Sequence, residues 1–340
     1  MYSSYSSLQQ SQLAAQGYYD TQSTYLLVYA PGRSTALRAT LADQLHRKFR
    51  LADTLGSALT EGVDGVLLVS EDVECMSTAL MCFAKALQDG ADYAVCNAVF
   101  GFGGATALYQ SRAHLAQNRC ALVSRPLLER CRAAAKDPEN VTELLALAAQ
   151  FCAHPARIPQ ALLHYERDIC AEDAFSATGK RAFLMSHVLD MTGAPIVLVS
   201  AVPVLRSMGY EVVVLGPSDG GALQLFVDAG AAVITRPGIR ATPNLWGLAL
   251  CTDLVLVNTV VMARTVRALS GTAVPVLWWL HDAFAGYPHI AHQIPTKLAE
   301  NVRLYSVGHH AANAMHAVRP DFQIGQLIYG LPDYAAGGFP

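Results

Sequence analysis

The sequence predicts an α/β protein, with two Rossmann-like three-layer domains whose sheets are mostly parallel. Three observations carry this reading. Short continuous apolar runs such as Gly65-Val66-Leu67-Leu68-Val69 and Glu211-Val212-Val213-Val214-Leu215 have the pattern of strands buried on both faces. Helix-length stretches with turn signals separate these runs, so strands and helices alternate. The 340 residues are also enough to bury two separate cores.

Taken in order, residues 1–24 are polar and read as a flexible arm. Tyr25 to Tyr29 is a first strand, closed by a Pro31-Gly32 turn. Leu37, Leu41 and Leu45 lie at helical spacing, and Leu55 to Leu59 reads as a second helix. After the Gly65–Val69 strand comes the acidic turn Ser70-Glu71-Asp72-Val73-Glu74, then a helix over Ser77–Leu87 and a strand at Tyr93–Cys96. The first domain is assigned to residues 25–165, and the mixed polar stretch 166–180 is read as a linker. The second domain spans residues 181–333, followed by a tail at 334–340.

The second domain opens on the most informative stretch, Arg181 to Pro217. It reads as strand, loop, helix, glycine turn and strand. The loop is Thr192-Gly193-Ala194-Pro195, with Pro195 at a helix start where its missing N–H costs nothing. Gly209 ends the helix. Later strands are expected at Ala232–Ile234, Leu254–Val257 and Val274–Trp279, with a helix over Val261–Leu269. Loops at the carboxyl ends of such strands are where α/β proteins assemble ligand sites.

Composition narrows the function. Lys plus Arg number 24 against 27 Asp plus Glu, with no basic stripe, so no nucleic-acid partner is expected. No apolar run is long enough to span a membrane. The start lacks the order of a secretion signal. The eight cysteines form no CxxC pair and read as reduced, buried thiols of a cytoplasmic protein.

Candidate chemistry concentrates in the second domain. His281-Asp282 follows a strand's carboxyl end, where an imidazole can bond a sugar or phosphate oxygen and a carboxylate can accept a proton. Thr192, Gly193 and Ala194 form a small-residue loop that lets backbone N–H groups approach an acceptor or phosphate. Asp219 lies in the Pro217–Gly221 turn on the same side of the sheet. His309-His310 reads as a polar helix start, since no third metal ligand accompanies it. Gly193 stands without the second and third glycines of a dinucleotide fingerprint, and no acidic residue ends the second strand.

These segments occur in the order found in family 4 glycosyltransferases. The Gly193 loop, Gly209-Tyr210-Glu211-Val212, Trp278-Trp279-Leu280-His281-Asp282, Leu304–Gly308 and Leu327–Asp333 all resemble the N-terminal half of that GT-B family. The resemblance implies a glycosyltransferase, bacterial in type, that moves a sugar from a nucleotide-sugar donor to a glycan or lipid-linked acceptor in surface polysaccharide synthesis. It implies catalytic roles for His281 and Asp282, and substrate binding by Thr192, Gly193, Ala194 and Asp219. It covers the acceptor-side half. The donor half, with its paired glutamates, is expected from a further C-terminal domain or a partner copy.

The first domain more weakly resembles the GT-A fold of family 2 glycosyltransferases, through Leu51–Leu59, Gly65–Glu74 and His154–Arg167. That resemblance implies Mg²⁺ or Mn²⁺ held by Asp72 and Glu74. Ser70 stands where the first acid of the DxD motif is expected. Glu139 or Glu143 stands where the family carries its base, without the usual Glu-Asp pair, so the domain reads as degenerate. The alternative is a non-catalytic glycan- or partner-binding module derived from glycosyltransferase domains. The expected location is the cytoplasm, with peripheral contact at the inner face of the membrane.

Overall fold

The computed structural model describes residues 18–32, 35–56, 59, 62–102, 105–110, 119–176, 179–239 and 247–329. The chain is mixed α/β and divides into two compact units. Residues up to Ile169 belong mainly to the first, and Cys170 onward to the second.

In the first unit, β1 (Leu26–Tyr29) lies between β2 (Phe49–Ala52) and β3 (Gly65–Val69), parallel to both. Beyond β3 comes β7 (Cys120–Ser124), antiparallel to it and to β5 (Tyr93–Phe102). The long β8 (Pro155–Asp168) runs parallel to β5, and the short β4 (Glu74–Cys75) pairs antiparallel with β8. A further strand, β6 (Ala105–Gln110), has residues 105–107 in the second unit and 108–110 in the first. This sheet is therefore mixed, where the alternating pattern predicts a largely parallel one. Helix α1 spans Thr35–Leu41 and α2 spans Ala79–Gln88. Helices α3 (Arg125–Ala134) and α4 (Val141–Phe151) bring Leu127, Leu128, Leu144 and Leu145 onto Leu27, Val66, Leu68 and Val123. Ser124 and Asn140 cap these helices by accepting the N–H groups of Leu127 and Glu143.

Residues Tyr18–Ser23, expected in the flexible arm, form a 3₁₀ turn. It is tied down by Gln22, whose amide donates to the Leu45 carbonyl and accepts from the Arg47 N–H. Residues 1–17 lie outside the described residues. Of the helix expected at Leu55–Leu59, residues 57 and 58 lie outside the described residues; the Leu59 N–H donates to the Leu55 carbonyl at 3.0 Å. The N–H groups of Leu55 and Gly56 donate to the Glu139 carboxylate, at 2.7 and 3.1 Å. Within the expected linker, β8 continues to Asp168 and α5 covers Ala171–Ala174, while residues 177 and 178 lie outside the described residues.

The second unit is built on a parallel sheet. Its strands are β9 (Lys180–Met185), β10 (Tyr210–Gly216), β11 (Ala232–Thr235), β12 (Leu254–Asn258), β13 (Val276–Leu280), β14 (Val302–Ser306) and β15 (Ile324–Gln326). They lie in the order β11-β10-β9-β12-β13-β14-β15. Every neighbouring pair is parallel. Helix α6 (Gly193–Ser207) connects β9 to β10, and α7 (Leu223–Asp228) connects β10 to β11. Their Leu198, Val202, Leu205 and Phe226 pack on Leu184, Val214, Val233, Leu256 and Trp279. The alternate strand residues Phe183, Val213, Val255 and Trp278 are equally buried, so both faces of the sheet are covered. Helices α8 (Gly247–Leu250), α9 (Ala263–Leu269) and α10 (His309–His316) complete the unit. Among the described residues the last strand ends at Gln326, immediately before the Leu327–Asp333 stretch expected to hold a strand and turn, of which residues 330–333 lie outside the described residues.

The chain moves outward from β9 to β11, then returns to the other side of β9 to form β12. The chain direction thus reverses between β9 and β12, a topological switch point of the kind at whose carboxyl ends open α/β sheets bind ligands. That switch point positions the candidate site.

Candidate functional site

Four segments meet the carboxyl edge at the switch point: Ser186–Thr192 after β9, the first turn of α6, Thr259–Met262 after β12, and His281–Tyr287 after β13. Thr192 is the N-cap of α6, so Gly193, Ala194 and Pro195 are its first three helical residues. Pro195 falls at the third position rather than the first. Its N–H would still have been an orphan there, so the helix tolerates it. A Cβ built on Gly193 meets nothing within 4 Å, leaving open space above the first turn.

Thr259 is the hinge of the arrangement. Its φ of 70° makes it the described non-glycine residue in the left-handed region, a strained conformation that clusters at functional sites. The surroundings over-determine it. Its N–H donates to the Trp279 carbonyl at 2.8 Å, and its own carbonyl accepts the Trp278 indole N–H at 2.8 Å. Its hydroxyl lies 3.2 Å from His187 Nδ1. Next to it, Asn258 is completely buried and donates its amide to the Ala194 carbonyl in α6, at 3.1 Å. Asn258 Oδ1 is buried with no hydrogen-bond partner.

His281 packs its ring on Trp279, with centroids 4.8 Å apart. Asn258 is in register with Trp279, and side chains two apart share a face, so His281 and Asn258 lie on the face covered by α6. Burial, reinforced by the nearby His187, lowers the His281 pKa from 6.5 to about 4. The ring is therefore neutral at physiological pH, and its Nε2 is buried and unpartnered. Asp282 is committed differently. Its Oδ2 accepts the Val260 N–H at 2.6 Å, pinning the turn that leads into α9. Burial raises its pKa, and the backbone bonds partly oppose that rise. Tyr287 is buried beside this carboxylate; desolvation and the Asp282 charge both raise its pKa.

The structure thus gathers Thr192, Gly193, Ala194, His281 and Asp282 around one strand edge. The Asp219 turn packs against the β9 loop, since the Ala222 N–H donates to the Leu189 carbonyl at 2.8 Å, so Asp219 stands beside the Thr192 side of the cluster and away from its His281 side. It lies on the β10 loop, roughly 14 Å from β13 at three strand spacings, and accepts a 3.4 Å bond from Thr235. The sequence reading also missed Asn258, Thr259 and His187. Their only sequence signal was position: each ends or follows a strand flanking the switch point.

The acidic candidates of the first unit have other duties. Asp72 accepts the N–H groups of Ala36 and Leu37 at the start of α1, at 3.5 and 3.3 Å. Glu74 lies 2.7 Å from His164 Nδ1, and Glu71 forms an ion pair with Arg167 at 2.7 Å. Among the described residues no three His, Cys, Asp or Glu side chains are grouped to hold a metal. Asp72 and Glu74 therefore do not fit a resident Mg²⁺ or Mn²⁺. Glu139 receives the Tyr29 hydroxyl and the two N–H groups of the 55–56 turn, so it clamps the core. Glu143 likewise accepts the Lys136 and Asp137 N–H groups. Of the glycine-rich stretch 101–104, Gly101 and Phe102 belong to β5; Gly103 and Gly104 lie outside the described residues.

All eight cysteines are thiols. Burial pushes Cys75 and Cys82 up to about 12, which makes them poor nucleophiles. Two open grooves, of about 570 and 650 Å³, lie away from the carboxyl edge of the second unit. One is lined by Lys85, His154 and Arg157 in the first unit, the other by Lys297, Arg303 and Phe322 in the second. Among the described residues, no helix is long and apolar enough to cross a membrane.

The second unit is therefore a Rossmann-like α/β unit whose polar cluster sits at its switch point. Residues 178–316 match the family described as Glycosyl-transferase family 4, a segment that contains every residue of that cluster. The match covers less than half of the chain, and it makes this segment similar to glycosyltransferases in general. No match covers the first unit, so its GT-A resemblance gains no support. Neither the curated proteins nor the solved structures contain a match to the chain.

Proposed function

We propose that the protein is a glycosyltransferase in which the second unit receives the acceptor at the carboxyl edge of β9, β12 and β13. The observation that carries this reading is the buried, unpartnered pair His281 Nε2 and Asn258 Oδ1 beside the open first turn of α6, within the family-matched segment. Unsatisfied buried polar atoms cost stability, so their retention at a switch point favours a binding role.

In this reading the donor is a nucleotide-sugar and the acceptor a glycan or lipid-linked glycan, met at the cytoplasmic face of the membrane during surface polysaccharide synthesis. Neutral His281 orients the acceptor hydroxyl through Nε2. Asp282 acts as a positioning residue, because its carboxylate holds the Val260 turn. No step is routed through a divalent cation.

The test is a transfer assay on the full chain, with UDP- and GDP-sugars as donors and a saccharide panel as acceptors, read by mass spectrometry. Transfer is expected, and His281→Ala should reduce it about 100-fold. Product formation that His281→Ala leaves unchanged would remove the site assignment. A second reading, a non-catalytic binding module, is favoured by one observation: Asp72, Glu74 and Glu139 are all spent on structural contacts. Saccharide binding without transfer from any donor would select it.

A further inference from the structure

We infer that the groove at the amino ends of β14 and β15 is a separate binding site, one that takes a neutral oligosaccharide. Residues 297–302 lead into β14 and residues 321–323 into β15, so the groove opens on the edge of the sheet opposite the switch point. It goes beyond the acceptor site proposed above and stands or falls apart from it.

The first argument is shape. The groove measures about 650 Å³, within the range of small-molecule sites and roomy enough for more than one sugar ring. Tyr305 on β14 is in register with Gly325 on β15, and both line the groove. A Cβ built on Gly325 would stand 2.6 Å from the Tyr305 ring. The ring therefore leans over β15, into the space a side chain at 325 would fill. It is half-buried, packed on one side against the core that contains Trp279. A partly exposed aromatic ring is flat and apolar, and it matches the C–H face of a pyranose.

The second argument is hydrogen-bonding capacity. Arg303, two residues before Tyr305 on the same face of β14, spends Nη1 on the Glu300 carbonyl at 2.8 Å. Lys297, Glu300, Asp321 and Gln323 are exposed, and among the described residues their side chains make no hydrogen bond or ion pair. The rim thus offers donors, acceptors and an amide that is both, as a ligand rich in hydroxyls requires. The groove of the first unit differs: there Lys85 is paired with Asp89, and Arg157 donates to Asn97.

The third argument is charge. Lys297 and Arg303 balance Glu300 and Asp321, so the lining carries no net formal charge. A phosphate group would be repelled by two carboxylates as much as it is attracted by two cations. A wholly apolar ligand would strip water from four charged side chains without replacing it. A neutral oligosaccharide meets neither cost, since its hydroxyls replace the water and its ring faces cover the tyrosine.

The experiment is saturation-transfer difference NMR on the full chain, with neutral trisaccharides of glucose, of mannose and of N-acetylglucosamine as probes. A saturable signal from at least one of them is expected. Tyr305→Ala should weaken that binding about fivefold. The ring also packs on the core, so Gln323→Ala, at an exposed side chain, is the second variant and should weaken binding about threefold. His281→Ala should leave a saturable trisaccharide signal. Binding that Tyr305→Ala and Gln323→Ala both leave unchanged would overturn the inference; if His281→Ala abolishes that same binding, the acceptor-side reading survives alone. Binding of none of the trisaccharides would likewise overturn the inference.

Discussion

His281 shows how burial decides the chemistry of a single residue. A histidine after a strand end could serve as a cation for phosphate, but desolvation holds this one neutral, with a pKa near 4. Its resonances in a histidine-selective NMR titration should therefore stay in the neutral form from pH 8 down to about pH 5. The unfolded chain takes up this proton first, near its ordinary value of 6.5. The neutral ring's contribution to stability is thus present above that value and is lost as the pH falls toward 4. A His281 that titrates near 6.5 in the folded protein would contradict the buried arrangement. The neighbouring Thr259 and Asn258 were not legible in the sequence. A positive φ at a threonine and an unpartnered amide oxygen depend on Trp278, Trp279 and Ala194, which reach them only through the fold.

Helix α6 carries the site's first turn at one end and an internal proline, Pro203, near the other. Pro203 removes the hydrogen bond that would reach the Val199 carbonyl, and its side chain is exposed. Pro203→Ala should therefore stabilise the protein by about 1–3 kcal/mol in denaturant unfolding. No change, or a loss, would mean that α6 depends on the bend. At this scale the second unit was largely legible. Its strands are continuous apolar runs, and Gly209 marks a helix end with a φ of 84°. The first unit was less so. The Leu55 and Gly56 N–H groups find their acceptor in Glu139, far along the chain, and no local sequence signal announces that partner. The polar stretch after Tyr165 continues a strand because β5 pairs with it, and composition carries no trace of that partner.

For the whole molecule, the α/β class followed from alternation, and the location of chemistry followed from strand order. The order β11-β10-β9-β12-β13-β14-β15 creates one switch point, and the polar cluster stands at it. The two units differ in what they offer. The second has a parallel sheet, a strained threonine and unpartnered polar atoms at the edge where ligands bind. The first has a mixed sheet whose candidate carboxylates are occupied in holding it together. The central prediction is that acceptor saccharide binds at the switch point of the second unit. The three tryptophans make this directly observable, because the Trp278 indole N–H is bonded to the Thr259 carbonyl. The decisive measurement is a ¹⁵N-correlation titration of the full chain with a neutral monosaccharide, the Trp278 indole signal being assigned with Trp278→Phe. A saturable shift of that signal is expected; a monosaccharide that binds while the Trp278 signal stays fixed would contradict the account.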